Sequence, residues 1–148
     1  MIRQSLPEGV SLCVQLSDMP RIEARPELLA EVWANLLANA AQAVGAAGTI
    51  TVNGSTTVNG STDAAPRGSL AVVQVIDDGP GVPPEALSQI FDPGFTTRSA
   101  QGGTGLGLAL TERIVRSCGG SVRAESRPGR TCFSVLLPAA VQALRARR

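Results

Sequence analysis

Asp77-Asp78-Gly79-Pro80-Gly81 decides how this chain folds, because it follows directly on Leu70-Ala71-Val72-Val73-Gln74-Val75-Ile76. The β-branched, apolar run reads as a central strand. The glycines after it permit a sharp turn and close backbone approach. A carboxylate held there could accept a hydrogen bond from an exocyclic amine such as adenine's, where guanine would present a carbonyl and be repelled. Taken alone, Asp77-Asp78-Gly79 is more often a turn than a purine reader. Asp78 reads as solvent-facing.

Working outward, residues 10–16 alternate apolar and polar as a half-buried strand does. Pro26 suits the first turn of a helix running to about Val44, closed by Gly45 and Gly48. Residues 49–53 read as a strand. A tandem hexapeptide overlaps its end, Thr51-Val52-Asn53-Gly54-Ser55-Thr56 and then Thr57-Val58-Asn59-Gly60-Ser61-Thr62. Asn-Gly favours a hairpin turn, but the Gly- and Ser-rich continuation predicts a solvated, flexible loop over 51–68 with no catalytic role. Residues 83–90 read as a short helix, 92–104 as a mobile loop, and 106–118 as a helix ended by Gly119-Gly120. Residues 121–125 and 131–137 form a hairpin around Arg127-Pro128-Gly129, and 139–148 is a basic tail. The order β-α-β-β-α-loop-α-β-β predicts one domain over 1–148, a mixed sheet with its helices on one face.

Composition narrows the function by exclusion. With 43% apolar residues and net charge +1, the chain reads as an ordinary globular domain with no electrostatic footprint for nucleic acid. No apolar stretch reaches the length of a membrane span and no signal peptide opens the chain, so a cytoplasmic domain without direct membrane contact is expected. Cys13, Cys118 and Cys132 are scattered through apolar-patterned segments and read as buried thiols. All 13 basic residues are Arg. The absence of Lys excludes the P-loop and the eukaryote-type protein kinase. The absence of His excludes serine-hydrolase triads and His-Glu-x-x-His metal sites, and if a histidine is a reactant it lies on another segment or another molecule.

Glu31, Asn35 and Asn39 recur every four residues. Each step drifts by only about 40° around a helix, so the three form one stripe. Leu28, Val32, Leu36, Ala40 and Ala43 fill an apolar arc beside it, which puts the stripe at the edge of the core. Asparagine is a middling helix former, so two on one stripe are either surface amides or pocket-lining groups. Gly103, Gly105 and Gly107 alternate ahead of an apolar helix beginning at Leu106. That spacing is not the dinucleotide fingerprint, but it sets backbone N–H groups and a helix N-terminus where phosphates bind.

In order and spacing, four segments resemble the N, G1, F and G2 boxes of sensor histidine kinases, within the wider GHKL group of ATPases and kinases. They are Asn35-Leu36-Leu37-Ala38-Asn39-Ala40, the Asp77 pentapeptide, Phe91-Asp92-Pro93-Gly94-Phe95-Thr96-Thr97-Arg98, and Gly103-Thr104-Gly105-Leu106-Gly107-Leu108. The resemblance covers residues 10–138. It implies a two-layer α/β sandwich, a mixed sheet covered on one face by three helices, with ATP held between helices and a lid over 92–104. It implies that Asn39, supported by Asn35, coordinates Mg²⁺, a role suited to a hard, uncharged amide oxygen. It makes Asp77 the adenine reader with Gly79 and Gly81 beside it. Gly103, Thr104, Gly105, Leu106 and Gly107 become the phosphate loop, and Thr131 a neighbour of the adenine. The family often has Pro-Phe where Pro93-Gly94 stands, which implies a looser lid. Arg98 replaces a frequent Lys and can still face the γ-phosphate.

Position 35 separates the branches that the resemblance leaves open. The topoisomerase, chaperone and anti-sigma-factor kinase branches carry a Glu four residues before the metal Asn, to activate water or a hydroxyl. Asn35 cannot accept a proton usefully. A neutral imidazole already offers a free lone pair and needs little base help, so the expected acceptor is a histidine on a separate dimerisation domain, with a response regulator downstream. Glu31 is then a candidate base or orienter of that histidine. A GHKL-type ATPase or serine kinase, and a degenerate nucleotide-binding module, remain the alternatives.

Overall fold

Pro26 opens the longest helix of the computed structural model, which describes residues 6–58, 69–95 and 106–139. This helix, α1 (Pro26–Val44), follows Arg25 in extended conformation, and Gly45 ends it with φ +65°. Local signals therefore set both ends. The predicted arc is its buried face: Val32, Leu36 and Ala40 are buried, and Leu28, Trp33 and Leu37 pack against them.

Five strands form one mixed sheet: β1 (Gly9–Leu16), β2 (Ala47–Val58), β3 (Ser69–Asp77), β4 (Ser121–Arg127) and β5 (Arg130–Pro138). Their spatial order is β1-β2-β3-β5-β4. β1 runs parallel to β2 and every other neighbouring pair is antiparallel. β3 is central, as its β-branched sequence predicts. β5 lies between β3 and β4, an arrangement no local pattern reveals. The edge strand β4 alternates, with Arg123, Glu125 and Arg127 exposed. Such charges hinder edge-to-edge pairing.

Two further helices, α2 (Pro84–Leu87) and α3 (Gly107–Ser117), join α1 on one side of the sheet. The core between the layers holds Ile50, Val75, Phe133, Val135 and Leu137 from the strands against Val32, Leu36, Ile114 and Val115 from the helices. The predicted two-layer sandwich is the fold observed. No helix among the described residues is long and apolar enough to cross a membrane.

Three expectations need correction. Residues 51–58 of the loop expected over 51–68 are strand, because β2 carries the whole first hexapeptide and pairs with β3 through Val58↔Ser69. Thr51, Val52, Thr56 and Thr57 favour an extended chain, and a long antiparallel partner outweighs the local turn signal of Asn53-Gly54. Gly54 is buried, and its carbonyl accepts bonds from Ser17 N at 2.9 Å and Ser17 Oγ at 3.0 Å. Residues 59–68 and the basic tail from 140 onward lie outside the described residues. The helix expected over 83–90 is shorter: only Pro84–Leu87 is helical, and turns follow it. Cys13 is exposed, Cys118 half-buried, and Cys132 alone fully buried. Cys13 sits on an edge strand with Thr51 as its single cross-strand partner, which leaves it little to pack against.

Candidate functional site

Asp77 ends β3 and is 2% exposed. Its Oδ1 accepts the Gly79 amide proton at 2.9 Å, closing the turn that the sequence predicts. Its cross-strand partners are Ile50 on β2 and Thr131 on β5. Directly opposed residues share a sheet face, so the carboxylate and the Thr131 hydroxyl line the same side, towards the helices. Thr131 is itself 3% exposed.

The two glycines of the pentapeptide have separate tasks. A Cβ on Gly79 would lie 2.7 Å from the Ala43 carbonyl oxygen, so that glycine lets the loop press onto the end of α1. Gly81 has φ +92°, and a Cβ there would lie 2.5 Å from the Arg127 carbonyl oxygen. This second glycine lets the loop press onto the β4–β5 turn.

Asp78 is exposed as expected, yet it also works as a staple. Its Oδ1 accepts from Thr49 N at 2.9 Å, and its own amide donates to Thr49 O at 3.3 Å. Asp78→Ala should cost about 1 kcal/mol of stability, read by denaturant unfolding. Asp78→Asn, which keeps an acceptor oxygen, should recover most of it; equal losses in both would remove the staple.

Ser126 carries no motif signal, and sequence reasoning missed it. Val82 N donates to Ser126 Oγ at 2.7 Å, and Ser126 Oγ lies 2.7 Å from Thr131 Oγ1. The available clue was the alternation of β4, which sets Ser126 on the face of Val122 and Ala124, where a hydroxyl needs a partner.

On α1 the expected stripe is graded in exposure: Glu31 is exposed, while Asn35 and Asn39 are half-buried. Helices α1 and α3 pack together. Asn35 lies at that contact, its Oδ1 3.5 Å from where a Cβ of Gly107 would stand. Its Nδ2 is buried with no hydrogen-bond partner among the described residues. The same holds for Thr111 Oγ1, one turn along α3, which no sequence signal marked. Leu106 precedes α3, exposed, and its carbonyl accepts the Leu110 amide at 2.9 Å. Phe91 meets Phe133 edge-on at 6.2 Å and 84°, and Phe95 packs against the core. Both aromatics of the third motif are therefore anchored. Arg98, Gly103, Thr104 and Gly105 lie outside the described residues.

The donors at the α1–α3 contact suit a magnesium ion carried by phosphates. Mg²⁺ keeps several waters and takes few protein ligands, all oxygen. The half-buried amide of Asn35, whose Oδ1 already faces the first residue of α3, fits that demand. The missing Cβ of Gly107 leaves room beside it.

Known proteins match this geometry. The family model described as histidine kinase-, DNA gyrase B- and HSP90-like ATPase matches residues 24–141. The sensory histidine kinase/phosphatase NtrB of Rhodobacter capsulatus is 40% identical over 119 residues, 78% of this chain. The chain spans only 33% of that curated relative. The catalytic domain of histidine kinase ThkA superimposes with TM-score 0.74 at 27% identity, over 93% of this chain and 82% of that one. ThkA solved in complex with the response regulator protein TrrA gives TM-score 0.70 at 26% identity, over 94% of this chain and 36% of that one. Sequence match and fold agree with the order of the four motifs: the chain belongs to the histidine kinase-, DNA gyrase B- and HSP90-like ATPases, and among them it is similar to the catalytic domains of sensor histidine kinases.

Proposed function

We propose that this domain binds Mg-ATP and donates its γ-phosphoryl group to a histidine on a separate dimerisation domain, in the cytoplasm, with a response regulator as the next acceptor. The observation that carries the proposal is Asn35. It stands against the first residue of α3, where a hydrolase or hydroxyl kinase of this family needs a carboxylate. An amide there orients groups but takes no proton, which suits an acceptor that arrives with its lone pair free.

Asp77 reads the adenine amine and Thr131 the neighbouring edge of the base. Asn39 and Asn35 would hold the magnesium ion, which supplies charge neutralisation on the triphosphate. Leu106 and Gly107 present the N-terminal end of α3 to the phosphates, with Gly103, Thr104 and Gly105 preceding it and Arg98 facing the γ-phosphate. The imidazole nitrogen attacks the γ-phosphorus, the bond to the β–γ bridging oxygen breaks, and ADP leaves. Glu31 is exposed on the rim, one turn before Asn35, where an incoming histidine can be oriented by it or lose its proton to it.

Calorimetry with magnesium should show ADP binding at least about tenfold tighter than GDP, the worth of one charged hydrogen bond. Incubation with ATP and a histidine-bearing acceptor domain should yield an acid-labile phosphoprotein. Rapid phosphate release by the domain alone, with no transfer, would replace this reading by an ATPase.

A further inference from the structure

We propose that Ser126 fixes the hydrogen-bonding polarity of the base-reading pair, and so acts as a positioning residue for the choice of adenine. The inference rests on the adenine-reading role given to Asp77 and Thr131 above.

In this proposal the Ser126–Thr131 bond runs in one direction, from serine to threonine, where either hydroxyl could donate. Val82 N–H donates to Ser126 Oγ at 2.7 Å, which turns the serine's own proton away from the loop. Thr131 Oγ1, 2.7 Å away, is within reach to accept that proton. A hydroxyl has one proton to give. Once Thr131 accepts from Ser126, its own proton is left for an acceptor on the side it shares with Asp77. The adenine edge offers a donor at its amine and an acceptor at N1. Asp77 takes the first, and a threonine fixed as donor takes the second. Hypoxanthine reverses both groups, with a carbonyl and an N1–H, and is refused twice. The loop amide of Val82 thereby sets the second half of the reader through Ser126.

The bland reading is a clamp that merely ties the loop to the hairpin, as the close approach of Gly81 to Arg127 already does. The two readings differ in what they do to selectivity. Binding of ADP, inosine 5′-diphosphate and inorganic triphosphate to the full chain with magnesium should be measured by calorimetry. Ser126→Ala should weaken ADP about 5- to 10-fold and leave inosine diphosphate within about twofold, because the freed Thr131 can turn to accept. Inorganic triphosphate should bind Ser126→Ala as it binds the unaltered chain. Ser126→Thr, which keeps the hydroxyl, should restore the ratio of the two nucleotides.

Should the alanine variant fail to fold, Ser126→Cys gives the same comparison with a weak thiol donor, and should narrow the ratio. Equal weakening of both nucleotides, or an unchanged ratio in the alanine and cysteine variants, overturns the proposal while leaving ATP binding intact. Failure of the unaltered chain to bind ADP overturns both.

Discussion

Asn39→Ala should cut γ-phosphoryl transfer to the acceptor histidine to about 1% or less while the domain stays folded. Asn39 lies on α1, half-buried, one turn after Asn35 and beside the buried face of Leu36 and Ala40. Alanine is the better helix former, so the exchange does not oppose the helix itself. What goes is the amide oxygen that we assign to the magnesium ion. Phosphoryl transfer depends almost wholly on placing the γ-phosphorus in line with its acceptor and on neutralising its charge. A triphosphate whose ion has lost its protein ligand is bound without being aimed. The loss should be about 10²- to 10³-fold, by analogy with removal of one electrostatic stabiliser from an active site. Labelled ATP and a histidine-bearing acceptor domain give the readout, with circular dichroism to show the fold retained. Transfer at an ordinary rate and ordinary magnesium concentration would take Asn39 out of the site.

Asp77→Asn should weaken ADP binding by about 10- to 150-fold, the cost of one charged hydrogen bond. The asparagine can still accept the Gly79 amide proton through its own oxygen, so the turn survives. Its NH₂ group then faces the amine of adenine, donor against donor, where a carboxylate oxygen stood. The melting temperature without nucleotide should therefore change little while the calorimetric affinity collapses. A variant that melts low and binds ADP normally would make Asp77 a structural residue only.

The sequence signals that held were those with a local cause. Pro26 and Gly45 bracket α1 because proline and a positive-φ glycine act on the residues beside them. The Asp77 turn was legible for the same reason: the carboxylate, the Gly79 amide and the glycines lie within five residues of one another. Features made by distant partners were hidden. The strand order could not be read because β5 chooses β3 across two intervening helices and β4. The end of β2 was misread because Asn53-Gly54 has a turn's composition, and the strand that overrides it begins only at Ser69. Ser126 was invisible because its meaning comes from Val82, a backbone amide with no sequence signature. In the site itself, Asp77, Thr131, Asn35 and Gly107 were named from the sequence. Their mutual placement, and the orphaned amide of Asn35, came only with the fold.

The insertion of β5 between β3 and β4 also bears on how the domain is made. A ribosome delivers β3 and the Asp77 turn long before β5 emerges, so the nascent chain carries one half of the proposed base reader with nothing opposite it. Until Thr131 arrives, the flank of β3 is an open edge that any passing strand can pair with. A fragment that stops in the β4–β5 turn keeps α3 but has neither the β5 wall nor the Thr131 hydroxyl to which base recognition is assigned above. On the base-reading role proposed for Asp77 and Thr131, nucleotide recognition therefore waits for β5, and a fragment that ends before it should bind no adenine nucleotide.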